Sequence, residues 1–282
     1  MKKLLLGFVI VTVMAGGLFA VSRHSAPSRP VTVPTKSYVA LGDSVAAGIG
    51  LSPYSDASAC NRTDQAYPKI IAQTDSYKLT SLACSGATMA AGINGPQTVN
   101  DLAVRSQLDQ LFGLPKSMQI RQISITIGAN DMGWTDILTR CYATVCGTEA
   151  DTSGVDARLA TLTNNMQTVL QKISDHYGAS VPPVIVTGYY QLLPAALANC
   201  PEMTGLDASE LQWERSQEDK LNATLQASVV GHPFARYAAI DFSGHELCTA
   251  DSWVQNSSAP APFHPTAAGQ REYARKYERI LK

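Results

Sequence analysis

Apolar runs of strand length recur along the chain at Tyr38–Leu41, Leu79–Ala83, Ile123–Ile127, Val184–Val186 and Tyr237–Ile240. Between them the hydrophobic positions change period. Leu159, Leu162, Met166, Val169, Leu170 and Ile173 fall three or four residues apart and trace one face of a helix. Tyr273, Tyr277 and Ile280 repeat that spacing near the end of the chain. Strands that alternate with helices predict an α/β fold. Its central five-stranded sheet is parallel, covered on both faces and joined by right-handed crossovers.

The polar positions give this pattern a direction. Gly42-Asp43-Ser44, Cys84-Ser85-Gly86 and Gly128-Ala129-Asn130-Asp131 each follow directly on one of the first three runs. In a parallel sheet all three blocks therefore share the edge at the carboxyl ends of the strands, where open α/β sheets bind ligands. The block Phe263-His264-Pro265-Thr266 lies beyond the fifth run and leads into the last helix, so its loop can fold back over the same edge.

Composition narrows the class. The chain has 282 residues, 45% of them hydrophobic, enough for a substantial core in one large domain. Charged residues make up 16% and the formal net charge is -1. That leaves no basic footprint for a nucleic-acid partner and no basic run to hold an anionic membrane. At the N-terminus, Lys2-Lys3 precede an uncharged apolar run from Leu4 to Val21. This reads as a signal peptide over residues 1–22, cleaved after Ala20 or Ser22, or as an uncleaved anchor of near-spanning length. Residues 23–36 contain three prolines and no aromatic residue and read as a linker. The folded domain is expected over residues 37–282, in a protein that is secreted or anchored outside the membrane.

Cys60, Cys84, Cys141, Cys146, Cys200 and Cys248 all follow the signal segment. An even number in an exported chain points to disulfides, and the absence of a CxxC pair or a histidine at ligand spacing argues against a metal. The pairing stays open at this level, and no cofactor motif is present. The G-x-S-x-G elbow, H-E-x-x-H and G-x-x-x-x-G-K-[ST] are all missing.

Acyl transfer needs a nucleophilic hydroxyl, a base within reach of its proton, and donors aimed at the oxyanion. Ser44 stands where a strand turns into the helical stretch Val45-Ala46-Ala47, although Asp43 or Ser44 could also serve there as a helix cap. Gly86 allows a backbone N–H to approach a substrate, and Asn130 carries a side-chain amide. Each has a plain alternative as a turn residue. Among the five histidines, His24 falls in the linker, and His176 and His232 have no catalytic signal near them. His245, in Asp241-Phe242-Ser243-Gly244-His245, competes with His264 as the base.

Taken in chain order, Ser44, Gly86, Asn130 and His264 resemble the four signature blocks of the SGNH, or GDSL-type, hydrolases. The resemblance covers essentially all of residues 37–282. It includes Cys60-Asn61-Arg62 with Tyr67-Pro68, Gly188-Tyr189-Tyr190, and the stretch from Asp241 to Cys248. Secreted actinobacterial lipases and esterases are the most similar branch. The resemblance implies a three-layer α/β/α flavodoxin-like sandwich and hydrolysis through an acyl-enzyme on Ser44. His264 would be the base, and the Ser44 and Gly86 N–H groups with the Asn130 amide would form the oxyanion hole. It also implies sequential disulfides, Cys60–Cys84, Cys141–Cys146 and Cys200–Cys248. A carboxylic ester would be the substrate, lipid-like or short-acyl, with no cofactor and a monomeric chain.

One position departs from the pattern. Many members of the family carry an aspartate three residues before the histidine, and Ala261 stands there in this chain. The expectation is that the Ala261 carbonyl accepts from His264 Nδ1, with Asp251 as the alternative acid. Phospholipase, carbohydrate acetylesterase and a non-catalytic envelope-binding module are the alternative functions. The pocket wall is expected from loops 45–60 and 132–155.

Overall fold

A computed structural model describes residues 35–55, 59–196, 200 and 203–281. Residues 1–22, and the linker up to residue 34, lie outside the described residues, as does His24. Chain order within the folded part is β1 (Lys36–Gly42), α1 (Ser44–Ala47), α2 (Tyr67–Thr74), β2 (Lys78–Ser81), β3 (Gln97–Val99), β4 (Leu102–Val104), α3 (Gln107–Phe112) and β5 (Gln119–Thr126). The second half runs α4 (Ala129–Met132), α5 (Trp134–Ala143), α6 (Glu149–Tyr177), β6 (Val184–Thr187), α7 (Ala208–Ser228), β7 (Ala235–Ala238) and α8 (Ala267–Leu281).

Strands β2-β1-β5-β6-β7 form one sheet in that order, and every pairing in it is parallel. Renumbered within the sheet this is 2-1-3-4-5, the flavodoxin-like order. All five predicted runs are strands of it, although β7 starts two residues earlier than its hydrophobic run. The three loops that follow β2, β1 and β5 are neighbours at its carboxyl edge.

Alternation along β1 assigns the layers. On the Tyr38 face lie α2 and α8, where Tyr67 stacks on Tyr273 with ring centroids 5.4 Å apart and Tyr38 meets Tyr277 at 6.0 Å. Several buried hydroxyls of that face bond one another, while that of Tyr277 has no partner among the described residues. Tyr38 bonds Ser124 at 2.6 Å, Tyr67 bonds Thr126 at 2.7 Å, and Thr126 bonds Thr187 at 2.7 Å. The other face is apolar and carries α6 and α7, which pack against each other. The stripe from Leu159 to Ile173 is buried there along its whole length. Reciprocal side-chain caps, Thr148 with Asp151 and Asp207 with Glu210, start these two helices.

The antiparallel hairpin β3–β4 has no counterpart in the hydrophobic pattern. Its signal was the turn. Asn100 and Asp101 take positive φ angles of 48° and 61°, the conformation a two-residue hairpin turn demands.

Disulfides join Cys60 to Cys84, Cys141 to Cys146, and Cys200 to Cys248. Among the described residues no helix is long and apolar enough to cross a membrane, and no group of side chains could hold a metal ion.

Helix α7 turns three glutamates inward at four-residue spacing. Glu210 receives the Cys146 N–H at 2.9 Å, and Glu218 receives the Leu192 N–H on both oxygens at 3.0 Å. Glu214, between them, is fully buried with neither oxygen bonded among the described residues. Burial pushes its carboxyl up to about 8, with the Arg215 charge pulling back. Between the ordinary value of 4.5 and about 8 the folded chain therefore holds a proton that the unfolded chain releases. Stability falls as pH rises through that window. Glu214→Gln should flatten the fall. Urea denaturation at about pH 5 and about pH 9 is expected to give midpoints closer together in the variant than in the parent chain.

Candidate active site

The site starts at Gly42, whose φ of 145° leaves no room for a side chain: a Cβ would lie 2.3 Å from the Thr126 carbonyl oxygen. That closeness lets the next residue bond the neighbouring strand, and the Asp43 N–H donates to Thr126 O at 2.9 Å. From α3, the buried Gln107 side chain grips both sides of Gly42. It accepts from Gly42 N at 2.8 Å and donates to Gly42 O at 2.8 Å. Asp43 then caps α1 by accepting from the Val45 N–H at 2.9 Å. The bland reading of Asp43 is therefore correct, and it is what presents Ser44 at the first position of the helix.

Asp43 is buried and also accepts from the Tyr189 hydroxyl. Burial pushes its carboxyl up to about 7, while the bonds from Tyr189 and Val45 pull it back.

Ser44 Oγ lies 2.7 Å from His264 Nε2. Residues 220 positions apart are thus in hydrogen-bond contact, and an imidazole so placed can take the hydroxyl proton. His245 is engaged elsewhere: its Nδ1 bonds the Asp251 carbonyl at 2.8 Å and lies 3.2 Å from the Asp251 carboxylate, and its ring stacks on Trp253. Asp251 therefore partners His245 and not His264. His176 stacks on Phe112, and His232 meets the edge of Phe234.

The carbonyl at hydrogen-bond distance from His264 Nδ1 is that of Pro262, with the expected Ala261 carbonyl a second favourable neighbour of the ring. Nδ1 faces the oxygen of Pro262 at 3.0 Å, whereas the Ala261 oxygen receives the backbone N–H of His264 at 3.4 Å. The reason is a tight turn. Phe263 takes a positive φ of 67°, which reverses the chain between Ala261 and His264 and brings the nearer carbonyl under the ring. Burial lowers the His264 pKa, and the carbonyls of Pro262 and then Ala261 oppose that shift by favouring the charged ring.

Gly86 and Asn130 flank Ser44 on the two neighbouring strands' loops. Gly86 has a φ of 78° with open space where a side chain would be, so its conformation rather than crowding calls for glycine. The N–H groups of Ser44 and Gly86 donate to no acceptor among the described residues. Asn130 donates one amide proton to the Ala87 carbonyl at 2.8 Å, which fixes the amide plane and leaves its second proton for a ligand. The adjacent Asp131 accepts from Met89 N at 3.0 and 3.1 Å. The Gly86 loop is braced from its other side by the Cys60–Cys84 disulfide, by Ser85 bonds to the Cys60 carbonyl, and by Gln97 of β3 on the Ser85 carbonyl. Gln107, Gln97, Asp131 and Pro262 went unread in the sequence, because their roles consist of contacts between distant segments.

A cavity of about 610 Å³ opens beside Ser44. Asp43, Ser44, Asn130 and His264 lie at one side, and Trp134, Leu138, Leu192, Leu221 and Phe263 supply mostly apolar walls. Gly86 does not line it. Of the two loops expected to build the wall, the stretch 132–155 contributes through α5, while 45–60 contributes only Val45. Tyr189, Tyr190 and Leu192, from the segment after β6, fill the remaining side.

The family model described as GDSL-like Lipase/Acylhydrolase matches residues 40–272. The Lipase 1 of Streptomyces coelicolor (strain ATCC BAA-471 / A3(2) / M145) is 30% identical over 280 residues, 94% of each chain. Two solved structures share 28% identity with this chain. Phospholipase A1 from Streptomyces albidoflavus NA297 superposes with a TM-score of 0.65 over 88% of this chain and 99% of its own. An extracellular lipase from Streptomyces rimosus gives 0.62 over 87% and 99%.

The lowered pKa of His264 has a kinetic sign. A reaction that uses this imidazole as a base needs it neutral, so activity persists on acidification until pH falls through its folded pKa. The acid limb of the kcat/KM profile for ester hydrolysis should have its midpoint below the ordinary histidine value of 6.5. A midpoint above that value would contradict the burial.

Proposed function

Given that the chain belongs to the GDSL-like lipase/acylhydrolase family and is a carboxylic ester hydrolase, we propose that it works through an acyl-enzyme on Ser44 with His264 as the base. The observation that carries this reading is the 2.7 Å contact between Ser44 Oγ and His264 Nε2 at the side of an apolar cavity. Ser44 Oγ attacks the ester carbonyl carbon and its proton passes to Nε2. The developing oxyanion meets the Ser44 N–H, the Gly86 N–H and the free amide proton of Asn130, each such donor contributing about 3 to 4 kcal/mol to barrier lowering. Collapse breaks the carbonyl–alkoxy bond, and the imidazolium gives its proton to the leaving alcohol. Water then attacks the acyl-enzyme, loses a proton to Nε2, and releases the carboxylic acid and the serine hydroxyl. In the charged intermediate, the Pro262 carbonyl supports Nδ1–H where many triads use a carboxylate.

The apolar wall supports a lipid-like acyl group over an acetyl group. The neighbour named phospholipase A1 supports phospholipid as a second reading within the same chemistry. Lys2-Lys3 with the apolar run after them, and the similarity to an extracellular lipase, support secretion with a signal peptide ahead of a hydrolase domain over residues 37–282. Because one chain supplies Ser44, Gly86, Asn130 and His264, we read the protein as active in monomeric form.

A fluorophosphonate should label Ser44, and both label and turnover should vanish in Ser44→Ala. Labelling elsewhere, or a fully active Ser44→Ala, would overturn the assignment of the nucleophile, and a parent chain with neither label nor turnover would leave the non-catalytic envelope-binding module as the better account. With p-nitrophenyl esters of rising chain length, kcat/KM should increase by up to about fourfold per added methylene until the cavity is filled. A series that peaks at acetate would instead favour the acetylesterase alternative.

A further inference from the structure

Adjacent tyrosines after β6 each hold one half of the Ser44–His264 pair. Tyr189 donates to the carboxylate of Asp43, the residue before Ser44, and Tyr190 donates to the carbonyl of Phe263, the residue before His264, at 2.6 Å. The two halves differ in what else supports them. Ser44 follows a central strand, a helix cap and the Gln107 grip. His264 follows a loop in which Phe263, a bulky residue, sits at a φ of 67° that such residues rarely adopt.

A conformation of that kind persists only where its surroundings hold it. Three bonds do so here, the His264 N–H on the Ala261 carbonyl that closes the turn and two that hold it from outside. The peptide ahead of Phe263 is pinned by its N–H on the Gln255 carbonyl at 2.8 Å, and the peptide behind it by the Tyr190 hydroxyl on its oxygen. The first of those peptides carries the Pro262 carbonyl that meets Nδ1, and the second leads directly to the Cα of His264. Tyr190 is itself buried, stacked on Phe242 with ring centroids 4.4 Å apart and edge-on to Tyr273. Its ring is therefore rigidly mounted, and only its hydroxyl reaches the turn.

We propose that Tyr190 is a positioning residue for His264: its hydroxyl locks the left-handed turn at Phe263 and so sets the imidazole against Ser44 Oγ and the Pro262 carbonyl. The inference rests on the reading of Ser44 and His264 as the catalytic pair. Without the hydroxyl, Phe263 relaxes toward negative φ and the ring loses its register with the serine, which misaligns proton transfer while the pocket walls formed by Trp134, Leu138, Leu192 and Leu221 stay in place.

Tyr190→Phe keeps the ring stack and deletes only the donor. It should lower kcat for a p-nitrophenyl ester about 10- to 100-fold while KM moves less than about twofold, because the loss lies in alignment. Phe263→Gly supplies the second arm, since glycine takes that φ without penalty. In the Phe263→Gly background the further loss on removing the Tyr190 hydroxyl should shrink to less than about threefold, a non-additive cycle. A Tyr190→Phe enzyme within about twofold of the parent in kcat would overturn the proposal. So would an equal loss in both backgrounds, or a Tyr190→Phe chain that fails to fold, which would make the hydroxyl structural. If Ser44→Ala or His264→Ala kept full activity, the underlying reading would fail instead, and the two failures are distinguishable.

Discussion

The peptide at Gly42 is the fixed point from which the active edge is built. Its N–H and carbonyl are both held by Gln107, the same carbonyl also accepts from Cys84 N at 2.9 Å, and the next N–H is held by Thr126. Strands β2 and β5 are thereby tied to the end of β1 at the very residue where the chain turns into α1. The absence of a side chain at position 42 is what allows the approach. Any displacement of this peptide would move Ser44 and its N–H together, and with them their relation to the loops of Gly86 and Asn130.

From that point the three strand-end loops lock one another. The Asn130-Asp131 pair holds the Ala87 carbonyl and the Met89 N–H, so the loop bearing Gly86 is set by side chains from the loop after β5. The disulfide to Cys60 and the Gln97 contact hold the same loop from behind. Donors aimed at a developing charge are useful only if they do not have to reorganise when it forms. In the proposed oxyanion hole the mutual bracing supplies that fixity.

The histidine side is organised differently. The group beneath Nδ1 is a backbone carbonyl, that of Pro262, carried on a strained turn at Phe263 whose own carbonyl accepts from the Tyr190 hydroxyl. A carbonyl orients the ring and selects the tautomer, but stabilises the imidazolium less than a buried carboxylate does. Burial lowers the His264 pKa against that support. The carboxylate of Asp43, next to Ser44, is spent on capping α1 and accepting from Tyr189, and burial pushes its pKa up to about 7. The arrangement keeps the imidazole neutral and free to accept a proton at moderate pH.

The sequence by itself determined the layers and the edge. A strand pattern is dictated by short local runs, a helical stripe by residues three and four apart, and both signals are complete within a few turns of chain. Gly42, Ser44, Gly86 and Asn130 were legible because residues placed directly after strands in a parallel sheet must share one edge, and His264 because the order of the four blocks resembles that of a known family. Tertiary structure alone decided which carbonyl supports His264, where Asp251 turns, which helix walls the cavity, and how Gln97 and Gln107 hold loops far from them in sequence. It also decided that the hairpin at 97–104 carries one such contact. Those features have no local period. They arise from which buried donor meets which acceptor once segments up to 225 residues apart are packed together, and from a left-handed conformation at Phe263 that its residue type does not announce.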